Sequence, residues 1–134
     1  MVLTRQVIEP KNPNLNVSRN MNLPHSPGIR VGDFIFVSGM VSVDPQTGEI
    51  KLGTLIEEAT QVLENMKHLL ESSGSSLKSV VKISVVIYDM LEFQNINKVF
   101  KKYFPENPPA RTVCGAQLNN GHKVEIECIA IVEG

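Results

Sequence analysis

Between Ser79 and Tyr88 apolar and polar side chains alternate. Val81, Ile83, Val85 and Ile87 fall on one face, and Lys82 and Ser84 interrupt the other. A period of two is that of a strand with one buried face. Upstream the period changes: Leu55, Ala59, Val62, Met66, Leu69 and Leu70 recur at helical spacing and form the buried stripe of an amphipathic helix. Thr54 opens that helix with Glu57 three positions on, a capping box, and Gly74 is placed to close it. A second helix is predicted over Leu91 to Phe104, with Ile96, Val99, Phe100 and Tyr103 toward the core and Pro105 as its stop. Asp33 to Val43 is rich in β-branched and aromatic residues and reads as a strand, bulged or kinked at Gly39. Asp44 to Gly48 is a turn. Thr4 to Glu9 is a short first strand, and the Asn- and Pro-rich run from Lys11 to Pro27 an extended loop. Asn120-Gly121 predicts a type I′ hairpin between strands at Thr112 to Leu118 and Lys123 to Val132.

The predicted order is β-β-α-β-α-β-β, an α+β chain whose mixed sheet carries two helices on one face. The other sheet face is apolar and has no helix to cover it, which implies a partner subunit. No repeat or linker divides residues 1–134, so one domain is expected. A chain of 134 residues buries roughly two thirds of its unfolded surface without a metal or disulfide staple. A net charge of -1 argues against a basic nucleic-acid footprint, and sparse aromatics argue against a base-stacking platform. No apolar run is long enough to span a membrane. Met1 to Asn16 lacks the apolar core of a signal peptide, and two cysteines without framework spacing read as reduced thiols of a cytoplasmic protein.

The chemistry concentrates near the C-terminus. Pro108 and Pro109 stiffen the backbone ahead of Arg111, whose guanidinium offers a fork that fits a carboxylate. Glu125 and Glu127 alternate with Val124, Ile126 and Cys128, so both acids share one face of a strand. Charges there are costly unless paired or used. Arg111 is thus either a surface arginine at a strand start or one wall of a pocket for a small carboxylate. The acids are either solvated or part of that pocket. A two-residue turn at Asn120-Gly121 sets Arg111 opposite Ala130, pointing away from both glutamates. Either a bulge re-aims one strand, or acid and arginine meet across a subunit interface. Cys114 and Cys128 fall on opposite faces of the same hairpin, which disfavours a bridge. His25, His68 and His122 are scattered, with His68 structural or exposed within its helix. No His/Cys spacing matches a metal site.

Three blocks resemble the Rid (reactive intermediate deaminase) or YjgF family, also described as the endoribonuclease L-PSP type. They are Pro24-His25-Ser26-Pro27-Gly28-Ile29-Arg30-Val31-Gly32, then Phe36-Val37-Ser38-Gly39, then Pro109-Ala110-Arg111-Thr112 with Val124 to Ala130. The resemblance covers about residues 23 to 132. It implies a chorismate-mutase-like fold and a homotrimer with an inner barrel and pockets between subunits. It implies hydrolysis of 2-imino acids such as 2-iminobutanoate and 2-iminopropanoate, or their enamine tautomers, to 2-keto acids and ammonia, with no cofactor and no metal. Arg111 would grip the substrate carboxylate, and Glu125 would position or activate the attacking water. His25, Ser38, Gly39, Asn97, Val113 and Cys114 would line the pocket. The chain departs from the family pattern at several of these: His25 stands for a tyrosine, Met40 for a frequent glutamine, and Val113 for a cysteine that is displaced to Cys114. The segment between Arg111 and the turn is also one residue short. Two other readings stay open, an endoribonuclease or translation inhibitor and a trimer that binds small carboxylates without turnover.

Overall fold

The computed structural model describes residues 2–134. Six strands form one mixed sheet: β1 (Arg5–Ile8), β2 (Gly28–Val31), β3 (Phe34–Met40), β4 (Val80–Ile87), β5 (Ala110–Gly115) and β6 (Val124–Ile131). Their spatial order is β1-β2-β3-β6-β4-β5. Two long helices, α2 (Leu55–Ser72) and α3 (Phe93–Tyr103), cross between strands, and a short helical turn, α1 (Val17–Asn20), precedes β2. The α+β class therefore holds, with one more strand ahead of the first long helix than the hydrophobic pattern predicts.

The long helix forms for the local reasons its sequence gives. Thr54 accepts a hydrogen bond from the Glu57 N–H, and Glu57 returns one by accepting from the Thr54 N–H. Such a cap contributes about 1 kcal/mol. All six residues of the predicted stripe are buried. Gly74 lies at φ 81, and the Ser75 N–H reaches back to the Leu70 carbonyl at 2.9 Å, which closes the last turn. The second helix starts later than expected. Met90–Glu92 form a 3-10 turn ahead of Phe93, and Tyr103 is only half-buried, its hydroxyl donating to Glu64 Oε2 at 2.7 Å.

Several expectations need correction. The run Lys11 to Pro27 is not simply extended: it holds a 3-10 turn at Pro13–Leu15 and the α1 turn. Asn12 and Asn16, read as loop residues, cap these turns by accepting from the Asn14 N–H at 3.1 Å and the Arg19 N–H at 3.2 Å. His68 fixes the segment, since its Nε2 accepts from the Asn12 N–H at 3.0 Å. Val81 leaves the buried row. The β4–β6 register shifts between Val80 and Lys82, so Val80 turns inward and Val81 is 42% exposed. The larger correction is the hairpin. β5 and β6 are not neighbours, because β4 lies between them, parallel to β5 and antiparallel to β6. Asn119–Gly121 forms a 3-10 turn instead, with Asn120 at φ 56 and Gly121 at φ 76. The positive φ values that make Asn-Gly a hairpin signal are present, but they serve a longer crossing connection.

Helices α2 and α3 cover one face of the sheet, and the core of Ile35, Leu63, Met66, Ile83, Ile96 and Ile126 lies between. On the other face Phe34, Phe36 and Ile131 remain exposed, with Phe34 level with Ile131 across the β3–β6 pair.

Candidate functional site

Arg111 is the second residue of β5 and is level with Ile83, which is level with Cys128 on β6. Ile83 and Cys128 both belong to the core under the helices. Paired residues in a sheet point to the same side, so Arg111 leaves the sheet on its helical side, at the edge strand. Its surroundings agree. Arg111 Nη2 donates to Asn97 Oδ1 of α3 at 2.9 Å. The guanidinium carbon stands 4.9 Å from the Phe100 ring centroid and 5.7 Å from that of Phe93, within cation–π range. The half-buried side chain is therefore held by an amide and two rings, with part of its donor fork unengaged.

Glu125 sits on β6 level with Val86 and alternates with the buried Val124 and Ile126. It consequently points to the face without helices. The β3–β6 register breaks between Val37 and Met40, the bulge expected at Gly39, and this brings Gly39 against the glutamate. A Cβ built on Gly39 would lie 2.5 Å from Glu125 Oε2 and 3.0 Å from its Cδ. Gly39→Ala is therefore expected to keep the fold but displace the carboxylate. A shift of about 1 Å in a reacting group can lower a rate 10²-fold, so any turnover that uses Glu125 should fall by at least about tenfold, measured as kcat/KM alongside an unchanged Tm.

His25, Ser38, Gly39 and Glu125 line one cavity of about 160 Å³. Leu15, Met21 and Met40 contribute its apolar wall. Ser38 is fixed there by donating to the Ser26 carbonyl at 2.6 Å. Arg111 and Asn97 are not in this cavity. Val113, level with the buried Val85, shares the face of Arg111, whereas Cys114, level with Val86, lies on the face of Glu125. The one-residue displacement of the cysteine thus moves the thiol to the opposite side of the sheet from the guanidinium. Cys128 is buried and its thiol is pushed up to about 12, chiefly by burial and further by Glu127, so it stays protonated and inert.

The structure accordingly sorts the expected residues into two groups. His25, Ser38, Gly39 and Glu125 gather at the cavity, and Arg111, Asn97 and Val113 gather at the β5 edge under α3, with Cys114 on the other face of that edge. Within one chain the arginine and the glutamate face opposite sides, two strands apart. The expected Asn120-Gly121 hairpin is absent, and the register across β4 sets the two side chains on opposite faces for a different reason. Two members of the cavity region were missed: His122, which lines it, and Glu58, which His122 approaches. Glu58 falls on the apolar stripe between Leu55 and Ala59, and a carboxylate in such a stripe was a readable signal.

Among the described residues, no cluster of three His, Cys, Asp or Glu side chains could hold a metal ion, and no helix is long and apolar enough to cross a membrane.

A six-stranded mixed sheet under two helices, with a bulged strand end beside an acid, defines the class. The family model described as Endoribonuclease L-PSP matches residues 18–132, and the chain belongs to that family, whose relatives carry the names RutC and RidA. It is 42% identical over 111 residues to a RutC family protein of Pyrococcus abyssi, covering 82% of this chain and 87% of that protein. It is 38% identical over 109 residues to the 2-iminobutanoate/2-iminopropanoate deaminase of Homo sapiens, covering 81% and 80% of the two chains. Among solved structures it resembles E. coli TdcF with bound serine at a TM-score of 0.75 and 34% identity, over 82% of this chain and 89% of that one.

Proposed function

We propose that this chain hydrolyses small 2-imino acids to 2-keto acids and ammonia in a pocket formed between two copies of itself. The observation that carries the reading is the division of the site. A preset arginine stands on one face at the sheet edge, and an acid beside a cavity stands on the other. One copy completes another if the β5 edge of the first docks against the Glu125 cavity of the second. The uncovered apolar face around Phe34, Phe36 and Ile131 supports such docking, and a closed homotrimer satisfies every half-site at once. The deaminase name of relatives at 38% identity supports the reaction. The serine in E. coli TdcF supports a small carboxylate-bearing ligand.

The chemistry asks little of the protein. An imine carbon is already electrophilic, so orientation and proton transfer supply the acceleration. The free donors of the Arg111 fork fix the substrate carboxylate, and Asn97 and the two rings keep the fork in place. Glu125 accepts a proton from water as the water oxygen bonds to the imine carbon. Collapse of the resulting carbinolamine expels ammonia and leaves the keto acid. No cofactor is needed for these steps, and the free thiols suit a cytoplasmic setting. Purified protein is expected to speed keto-acid release from imines generated by an amino-acid oxidase. Release no faster than the enzyme-free rate, across imines of small amino acids, overturns the reading and leaves a carboxylate-binding oligomer or a ribonuclease as the alternatives. RNA binding that weakens steeply with salt would favour the ribonuclease.

A further inference from the structure

Glu58 is 1% exposed on the inner face of α2, where a charge is costly unless compensated. Compensation comes from the connection into β6 and from the backbone just ahead of α2. Glu58 accepts from the Lys123 N–H at 2.9 Å and the Gly53 N–H at 3.1 Å, and the Lys123 ammonium reaches it at 3.3 Å. His122 is 2% exposed beside it. Its Nδ1 stands 3.9 Å from Glu58 Oε1 and has no hydrogen-bond partner. A carboxylate on that side favours the tautomer with the proton on Nδ1. The two ring nitrogens lie on opposite edges of the imidazole, so this tautomer leaves the Nε2 lone pair away from Glu58. His122 lines the cavity that also holds Glu125.

The reaction gives such a group work. Converting an imine and a water to a ketone and ammonia moves two protons from the water oxygen to the nitrogen. The first leaves as the C–O bond forms. The second leaves as the C–N bond breaks and the carbonyl closes. One carboxylate must carry both in turn, whereas two groups that line one cavity can divide them. We propose that His122, oriented by Glu58, is a second proton-transfer residue of this site. Its Nε2 takes a proton from the oxygen and gives it to the departing nitrogen, alongside Glu125. This rests on the deaminase reading. The electrostatics are consistent with it. Burial lowers the His122 pKa, the charges of Glu58 and Glu125 raise it, and Lys123 lowers it, with burial the largest effect. The imidazole is thus neutral and able to accept a proton at neutral pH.

The test pairs kinetics with a readout that needs no turnover. In the wild type, kcat/KM for 2-iminopropanoate, corrected for the enzyme-free rate, should fall as acid protonates His122, below about pH 6.5. His122→Asn should lower kcat about 10- to 100-fold, the lower range of a lost acid–base group, and abolish that limb in a protein that circular dichroism shows to be folded. Glu58→Gln removes the charge that favours the imidazolium and should move the limb to lower pH. Nitrogen NMR of labelled histidine at neutral pH should show His122 neutral with the proton on Nδ1, and loss of that tautomer preference in Glu58→Gln. A His122→Asn enzyme with wild-type kcat and an unchanged acid limb overturns the proposal and leaves the deaminase reading standing. An Nε2–H tautomer or a charged ring at neutral pH overturns it as well, whatever the rates. An inactive wild type overturns both readings.

Discussion

Arg111→Ala should lower kcat/KM for 2-iminopropanoate by about two to four orders of magnitude, with the loss appearing mainly as a failure to hold substrate. The figure follows from the contacts removed. Two hydrogen bonds between a guanidinium and a carboxylate contribute about 1.5–3 kcal/mol each, and about 1.4 kcal/mol is tenfold in rate or affinity at room temperature. Substitution also removes the donor to Asn97 Oδ1 and the guanidinium beside Phe93 and Phe100. That part is local packing at a half-buried edge, and it should lower stability by about 1 kcal/mol. Arg111→Lys separates the two contributions. It restores the charge but not the planar fork, so it should recover stability more fully than activity. Keto-acid release assays on the three proteins, with thermal unfolding beside them, decide the matter. Unchanged rates in Arg111→Ala would remove the arginine from the site and the deaminase assignment with it.

The same contacts show what a sequence can and cannot disclose. The frame of α2 was legible because its signals are local: the Thr54–Glu57 box, the apolar stripe and Gly74 each act through residues within a turn or so in the chain. β2 was not legible. It is four residues long and begins at Gly28, where a Cβ would meet the Ile8 side chain at 2.8 Å and the Phe36 carbonyl at 2.9 Å. The glycine there serves a close approach of β2 to the strands on both of its sides rather than a loop. The Asn120-Gly121 turn misled for a related reason. Its backbone has the expected left-handed geometry, but the strand that β5 pairs with comes from before α3, and no local signal at the turn encodes that. Arg111 and Glu125 stood out because charges on strands of apolar character are costly. Their partners did not stand out. Asn97 entered only through resemblance to a family. The burial of His122 depends on a contact with Glu58 across 64 residues of chain, and neither side chain alone announces the pair.

If the half-sites complete each other between copies, two inactive variants should rescue one another. Arg111→Ala lacks the carboxylate grip but keeps a sound Glu125 cavity, and Glu125→Gln has the reverse defect. Unfolded, mixed in equal amounts and refolded together, they should regain about one quarter of wild-type activity, since random assembly pairs an intact arginine edge with an intact glutamate cavity at a quarter of the interfaces in any closed ring. The figure does not depend on the number of subunits, so it tests the location of the site separately from the size of the assembly, which sedimentation or light scattering would supply. Variants refolded apart and then mixed provide the control, and they should regain activity only as fast as subunits exchange. A site contained within one chain predicts no rescue under either protocol, because every protomer then carries its own defect. The register makes the intramolecular alternative hard to build. Arg111 and Glu125 lie two strands apart on opposite faces of a sheet whose intervening strand, β4, is bonded on both sides. To bring the two side chains together within one chain, β4 would have to leave the sheet, breaking both of its ladders and opening the core at Ile83 and Val85. Docking a second copy asks only that an exposed apolar face be covered.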